Sequence, residues 1–292
     1  MRKQYREFLK DEMATVTSAL PPTQSRCAVV AQEKGSSSWL SALPIEQQGF
    51  SLSKGQFWDA ISLRYGWQLR LVLQKCRCGK EFEVNHVLTC KVGGFHTVRH
   101  NQLRDTIADL LKEVCSSVVV KPRLQPLTGE TLPASANLDD DARLDVKAKG
   151  FWDNREQDAF FDVRVFYPFA PSYRESTLAA NYRQHELKKR REYGMRVREV
   201  ERGCFTPLVF TTGGGMAPEA KVFFKRLASM IAEKRGESYS NTMGWLRCVI
   251  GFCLLRASLT CLRSSRSVAA DLRATDSNIS EATATGRLSK SH

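Results

Sequence analysis

The sequence predicts a mixed α/β protein whose core runs in the order helix, three strands, helix, strand, helix. Two observations predict this class. Apolar residues recur at helical spacing in three segments of the chain, and four short runs rich in β-branched and aromatic residues lie between them. With 292 residues, the chain has room for one sizeable core and small appendages.

Residues 1–70 are predicted to form a helical N-terminal region. A charged helix begins the chain and is followed by Pro21, Pro22 and a Gly-Ser segment. Aromatic and aliphatic residues from Trp39 to Tyr65 then predict two short helices. The next segment, 71–95, contains a cluster of cysteine and histidine residues.

Residues 96–240 are predicted to form the α/β core. Apolar residues at helical spacing between Leu103 and Val114 indicate its first helix. A second, highly charged helix is expected at 176–201. The strands are expected at 118–121, 143–148, 159–166 and 205–211. The last core helix is expected at 217–234, with Val222, Leu227 and Ile231 on its buried side.

The C-terminal part contains an apolar stretch at 243–262. Arg247 and Arg256 interrupt it, whereas a membrane span needs about 20 mostly apolar residues. We therefore predict an amphipathic helix over 241–264 that packs on the core, and no membrane. Residues 265–292 are rich in Ser, Thr, Ala and Arg, which predicts a disordered tail.

The charge balance indicates a polyanionic partner. The chain has 44 Lys and Arg against 31 Asp and Glu, a net charge of +13. Such a surplus attracts nucleic acid, either DNA or RNA, and we expect a nuclear protein. The first 13 residues are charged and lack the apolar run of a secretory signal. The nine scattered cysteines indicate a reducing compartment, with thiols that are free or bound to metal.

Two aspartates lie on neighbouring predicted strands. Side chains alternate faces along a strand, so Asp162 shares a face with Arg164. If the strands pair as an antiparallel hairpin, Asp145 and Asp162 converge, and close carboxylates repel each other unless a cation lies between them. Their oxygens suit Mg²⁺, which would activate water for phosphodiester hydrolysis while Arg164 holds the phosphate. The alternative is that both aspartates form ordinary salt bridges at a strand edge.

The charged helix adds residues to this site. Glu186, Lys189, Arg190 and Tyr193 fall at positions i, i+3, i+4 and i+7, which lie on one helical face. That face would offer a cation to phosphate and a ring to pack beside nucleic acid. The basic run of residues 188–191 comprises Lys188, Lys189, Arg190 and Arg191. Without that role, the run would be a solvated helix surface.

Cys76, Cys78, His86 and Cys90 have the residue types of a structural zinc site. Only one residue separates the first pair, which is closer than the usual two to four. The alternative is a set of unrelated buried thiols. Just after this cluster, Arg99 and His100 begin a predicted helix, where they would contact phosphate. His100 could equally be a helix-end histidine with a local partner.

These motifs, in this order, resemble the C-terminal part of non-LTR retrotransposons that carry a restriction-like endonuclease. The resemblance covers roughly residues 36–265 and includes Phe160 to Phe166 (FFDVRVF). It implies a Cys-Cys-His-Cys zinc knuckle followed by a PD-(D/E)XK nuclease core that nicks target DNA for a reverse transcriptase. It also implies metal binding by Asp145 and Asp162, and a phosphate or water-positioning role for Arg164 and Lys189. Tyr193 matches the Tyr that follows the helix Lys.

The chain departs from the family pattern at several points. Leu144 stands where the motif has Pro, and Arg164 stands where it has Lys. Arg stays protonated and cannot act as a base. No reverse-transcriptase domain occurs in the 292 residues, so we expect a fragment, a decayed copy or a domesticated remnant, with that enzyme encoded elsewhere or lost from this chain. Three hypotheses therefore stand: a Mg²⁺-dependent DNA endonuclease, a nucleic-acid-binding module without catalysis, and a structural or interaction protein.

Overall fold

The computed structural model describes residues 2–69, 74–125, 143–152 and 157–265. The N-terminal part is helical, as predicted. Its elements are α1 (Arg2–Ala19), α2 (Pro22–Ala31), α3 (Ser38–Ser41), a 3₁₀ turn (Glu46–Gln48) and α4 (Lys54–Tyr65). A capping box begins α4, because the Ser53 side chain accepts from the Gln56 amide and the Gln56 side chain accepts from the Ser53 amide.

The core has a four-stranded mixed sheet in the order β1-β2-β3-β4. A short helix, α5 (Val84–Val87), and the long α6 (Phe95–Lys112) precede it. The strands are β1 (Ser117–Val120), β2 (Val146–Lys149), β3 (Asp158–Phe166) and β4 (Cys204–Thr211). The first three strands form an antiparallel meander, and β4 runs parallel to β3. A parallel pair needs a crossover connection, and here helices supply it.

The crossover consists of α7 (Leu178–Lys189), a π-helical segment (Arg190–Gly194) and α8 (Met195–Glu199). Helix α9 (Pro218–Arg235) follows β4, and α10 (Tyr239–Ser265) ends the described chain. The main core lies between the sheet and helices α6, α9 and α10. The predicted order of helix, three strands, helix, strand, helix is therefore confirmed.

Three details differ from the prediction. The second strand begins at Val146, so Asp145 lies on the bend before it rather than within it. The charged helix is interrupted by the π-helical segment, which changes the faces of the residues after Lys189. Val222 is 54% exposed, because the buried stripe of α9 runs through Phe223, Leu227 and Ile231 at intervals of four residues.

Helix α10 is the one described helix that is long and apolar enough to cross a membrane, judged by length and composition alone. Its mean hydropathy is 1.6 over the most apolar window, of which 61% is buried in the protein. Core helices pass the same test, so this is weak support for a span. The predicted disordered tail lies almost wholly outside the described residues.

Candidate functional site

Asp145 and Asp162 are brought together by the pairing of β2 with β3. The antiparallel register joins Val146 to Phe161, and its continuation by one residue sets Asp145 opposite Asp162. Both side chains are buried. The predicted hairpin and the convergence of its two carboxylates are therefore present in the structure.

The carboxylate of Asp145 is fixed by two donors. Its Oδ2 accepts a hydrogen bond from the Val163 amide at 2.6 Å and lies 3.1 Å from Nε2 of His100. The same His100 nitrogen lies 3.0 Å from the Val163 carbonyl oxygen, so the imidazole bridges the strand and the aspartate. Burial alone would lower the pKa of His100, but the hydrogen bond and charge of Asp145 raise it overall.

Asp162 is paired with Lys189, which reaches it from the end of α7. The Lys189 Nζ lies 3.4 Å from Oδ1 and 3.2 Å from Oδ2. The Oδ2 atom is buried and makes no hydrogen bond within the described structure. Burial and the charge of Asp145 raise the pKa of Asp162 to about 7, although Lys189 opposes the shift. One ammonium thus lies beside two buried carboxylates, and Oδ2 of Asp162 has this cation next to it but no hydrogen bond.

Arg164 lies two residues beyond Asp162 on the same face of β3. Its side chain is half-buried and forms no hydrogen bond or ion pair with any described residue. Burial, and then the charges of Arg99 and Arg164, lower the pKa of His96 to about 4. Burial and Arg164 also lower the pKa of His185 to about 4. Both imidazoles are therefore neutral at pH 7, and the Arg164 guanidinium remains available to an anion.

The sequence did not assign His96 and His185 to this site. His96 lies four residues before His100 on α6, and His185 lies four residues before Lys189 on α7. Residues four apart share a helical face, so each pair faces the strand that carries Asp162 and Arg164. The spacing of four residues could have linked each histidine to its neighbour on the helix. The sequence alone does not show which strand that helical face packs against, so it did not place the histidines at the site.

Two predicted nucleic-acid contacts do not fit the structure. Arg99 is only 2% exposed, and its Nη1 donates to the Leu88 carbonyl oxygen at 3.2 Å, so it joins α6 to the cysteine segment. Tyr193 is also buried, with its ring 5.9 Å from that of Phe205 and the Lys189 ammonium 5.0 Å from its own ring. Neither side chain is accessible to a phosphate or a base.

The predicted face of four residues on the charged helix is also not formed. Glu186 is buried and accepts a hydrogen bond from the Glu219 amide, whereas the exposed Arg190 pairs with the Glu219 carboxylate. Lys188 and Arg191 are exposed on the outer surface of this crossover. Only those two residues of the basic run present charges without a described ion pair.

Cys76, Cys78, His86 and Cys90 form a compact cluster. The four candidate ligand atoms all lie within 4.8 Å of one another, and the Cys78 Sγ lies 3.0 Å from the His86 Nε2. A tight turn builds the first half, because the Gly79 amide donates to the Cys76 carbonyl at 2.8 Å with Gly79 at φ +86°. Helix α5 supplies His86. This Cys₃His set could hold a metal such as zinc.

Electrostatics favour a thiolate in this cluster. A backbone hydrogen bond at Lys80 is the largest influence on Cys78, and the contacts with His86, Cys76 and Cys90 act in the same direction. Together they lower the pKa of Cys78 to about 7. Burial raises the pKa of Cys90. One thiol of the set is therefore prepared for deprotonation, which metal binding requires. All nine cysteines are free of disulfides.

No family model and no curated protein matches this chain. The features of the chain that bear on its function are therefore the carboxylate pair, the surrounding cations and the Cys₃His cluster.

Proposed function

We propose that this protein is a Mg²⁺-dependent DNA endonuclease with a restriction-endonuclease-like core. The observation that carries the proposal is the pair of buried carboxylates, Asp145 and Asp162, beside Lys189 and Arg164. Arg164 pairs with no residue in the described part of the chain. Buried acids kept close on rigid elements are costly to ionise, and such an arrangement is typical of a functional site rather than a structural one.

The fold supports this proposal. A helix, an antiparallel three-stranded meander, a crossover helix and a parallel fourth strand are the elements expected of the restriction-like core. Asp145 lies on the bend just before β2 and Asp162 within β3, next to each other at the two central strands of that sheet. Because paired strands are rigid, the separation of the carboxylates is fixed before any ligand binds.

The donor set fits a small divalent cation. Two carboxylates offer hard oxygens, and Asp162 has an oxygen without a hydrogen bond. Mg²⁺ commonly uses one or two carboxylates and retains several waters, so two aspartates are sufficient. When bound, the ion would supply a nucleophile at neutral pH and neutralise charge on the scissile phosphate.

The remaining roles belong to the protein's own side chains. His100 and the Val163 amide occupy Oδ2 of Asp145, which leaves Oδ1 for the site. Arg164 would hold a non-bridging phosphate oxygen, because its guanidinium is permanently charged and has no partner among the described residues. Lys189 would position the attacking water or the phosphate from the opposite side, next to Asp162.

DNA is the proposed substrate because of charge. The net charge of +13 and the exposed Lys188 and Arg191 on the crossover favour a polyanion. The Cys₃His cluster would hold structural Zn²⁺ and brace the segment before α6. We place this activity in the nucleus, where nicked target DNA would prime a reverse transcriptase.

The test is a plasmid-nicking assay with and without added Mg²⁺. We expect nicking only with Mg²⁺, and loss of nicking in the variants Asp145→Asn and Asp162→Asn. Asp158→Asn is a matched control, because Asp158 lies on the same strand but pairs with Lys147 at 3.2 Å. Nicking that survives both site substitutions would reject the proposal.

A second candidate is a catalytically inactive nucleic-acid-binding protein. The observation in its favour is Arg164, since the family has Lys at that position and Arg cannot exchange a proton. This hypothesis predicts that the protein binds DNA in a salt-sensitive manner and does not cleave it when Mg²⁺ is added.

A further inference from the structure

Two exposed aromatic rings are stacked at the end of α4, outside the carboxylate site. Tyr65 is 47% exposed and Trp67 is 56% exposed. Their ring centroids are 5.1 Å apart with an interplanar angle of 25°. The Arg64 guanidinium lies 5.8 Å from the centroid of the Tyr65 ring. Both rings remain largely exposed to solvent and offer a flat apolar surface with a cation beside it.

The backbone holds these rings in place. Gly66 ends α4 in the left-handed region at φ +67°, and the Trp67 amide donates to the Ser62 carbonyl at 2.9 Å. This closes the helix and turns Trp67 back over Tyr65. A Cβ at Gly66 would approach the Cys27 Sγ at 3.3 Å, so the turn fits closely on α2. The turn that carries the two rings is thus fixed by backbone contacts.

A groove of about 370 Å³ adjoins Trp67. Its lining combines flat rings, amide groups and two guanidinium groups, and no lining residue is acidic. The rings, the amide and the guanidinium groups of the lining belong to Trp67, Tyr167, Phe169, Asn85, Arg26 and Arg174. Ligand pockets commonly measure about 300–1,000 Å³, so this volume suits a flat molecule of nucleobase size.

The polar groups of the groove are fixed in place. Arg26 donates to the carbonyl oxygens of Pro168, Tyr173 and Ser176. These hydrogen bonds hold its positive charge at a fixed position in the groove. The Tyr167 hydroxyl donates to Asn85 Oδ1 at 3.0 Å, which leaves the Asn85 amide nitrogen available to an acceptor. Aromatic surface, amide donors and positive charge together match an unpaired nucleotide.

We propose that the Tyr65–Trp67 stack and this groove bind single-stranded nucleic acid through its unpaired bases. The inference rests on nucleic acid being the partner, as proposed above, but not on catalysis. In a duplex the base faces are stacked on one another, so exposed rings of this kind favour a strand that is already open.

The groove lies close to the carboxylate site along the chain. Tyr167 follows β3 directly and is three residues beyond Arg164, a distance of about 10 Å at the rise of a strand. A strand bound in the groove at Tyr167 would therefore lie near the end of the β-strand that carries Asp162 and Arg164. The surface would hold the unpaired strand near a cleavage point.

The experiment is fluorescence anisotropy with a labelled 12-nucleotide oligothymidine and a labelled duplex of the same length, without added divalent ions. We expect Trp67→Ala to weaken binding of the single strand roughly 5- to 150-fold, the range measured for loss of one stacked base. Duplex affinity should change less than about twofold, because phosphate contacts dominate it. Trp67→Phe keeps a ring and should restore most of the single-strand affinity.

Trp58→Ala is the matched control, since this tryptophan lies on α4 itself and does not line the groove. It should leave single-strand affinity unchanged. Equal affinity of wild type and Trp67→Ala for the single strand, or an equal loss for single strand and duplex, would overturn the inference. If Mg²⁺-dependent nicking persists, either result leaves the nuclease proposal intact. A protein that does not nick DNA could still bind single strands at the Tyr65–Trp67 stack, so absence of nicking does not contradict this inference.

Discussion

His100 and Asp145 are joined by a contact of 3.1 Å between Nε2 and Oδ2, and this contact ties helix α6 to the bend before β2. The imidazole also lies 3.0 Å from the Val163 carbonyl, so one side chain fixes both the carboxylate and the neighbouring strand. The orientation of Asp145 towards the site thus depends on a side chain from a different element, helix α6.

We therefore predict that His100→Ala weakens Mg²⁺-dependent activity. Loss of a group that orients a metal ligand typically costs about 10- to 100-fold in metal affinity or activity. The Mg²⁺ concentration for half-maximal nicking should rise, while DNA binding without added Mg²⁺ should stay within about twofold. If the variant shows the wild-type Mg²⁺ dependence, His100 does not position Asp145.

Lys189 is predicted to be essential for nicking. It is the described cation closest to Asp162, at 3.2 Å, and it projects into the site from the opposite side to His100. Lys189→Met should lower the single-turnover nicking rate by about 10²- to 10³-fold, as for loss of one charged group at a transition state. Lys225→Met, an exposed lysine on α9, provides the control and should nick at the wild-type rate.

The sequence predicted the core order and the convergence of the two aspartates because both follow from local patterns. Strand periodicity and a short hairpin suffice to set Asp145 near Asp162. The predicted nucleic-acid contacts of Tyr193 and Arg99 were wrong, because both side chains are buried. Their burial depends on where the crossover and the cysteine segment pack, which the sequence pattern does not show. The π-helical segment after Lys189 shifts the helical phase, and the 3.6-residue period gives no sign of it.

The pH dependence follows from the raised pKa of Asp162. In the folded protein this pKa is about 7, against about 3.9 in an unfolded chain. Its contribution to stability is therefore fully present below the unfolded value and is lost as pH rises through about 7. Mg²⁺ binds the ionised form, so it should raise the melting temperature more at pH 8 than at pH 6. Asp162→Asn should abolish the difference between the two pH values.

The Cys₃His cluster is predicted to carry one zinc per chain. Cys76→Ser should remove the metal, measured by atomic absorption on the purified protein, and should lower the melting temperature by about 5 °C or more. Cys115→Ser is the control, because this thiol lies outside the cluster. Equal zinc content in the two variants would contradict the assignment.

The salt dependence of DNA affinity tests whether the outer surface of the crossover contacts DNA phosphates. Lys188 and Arg191 are exposed, and each phosphate contact they make would release one counterion. Alanine at either position should reduce the slope of log affinity against log salt by about 1. Arg190→Ala should change the slope less, because that guanidinium already pairs with Glu219 at 2.7 Å. Filter binding of duplex DNA between 50 and 200 mM salt measures the slopes of the three variants. Over this salt range, affinity falls by about 10³- to 10⁵-fold for a protein that makes about 6–10 phosphate contacts. Equal slopes for Lys188→Ala, Arg191→Ala and wild type would place the DNA on another face of the protein.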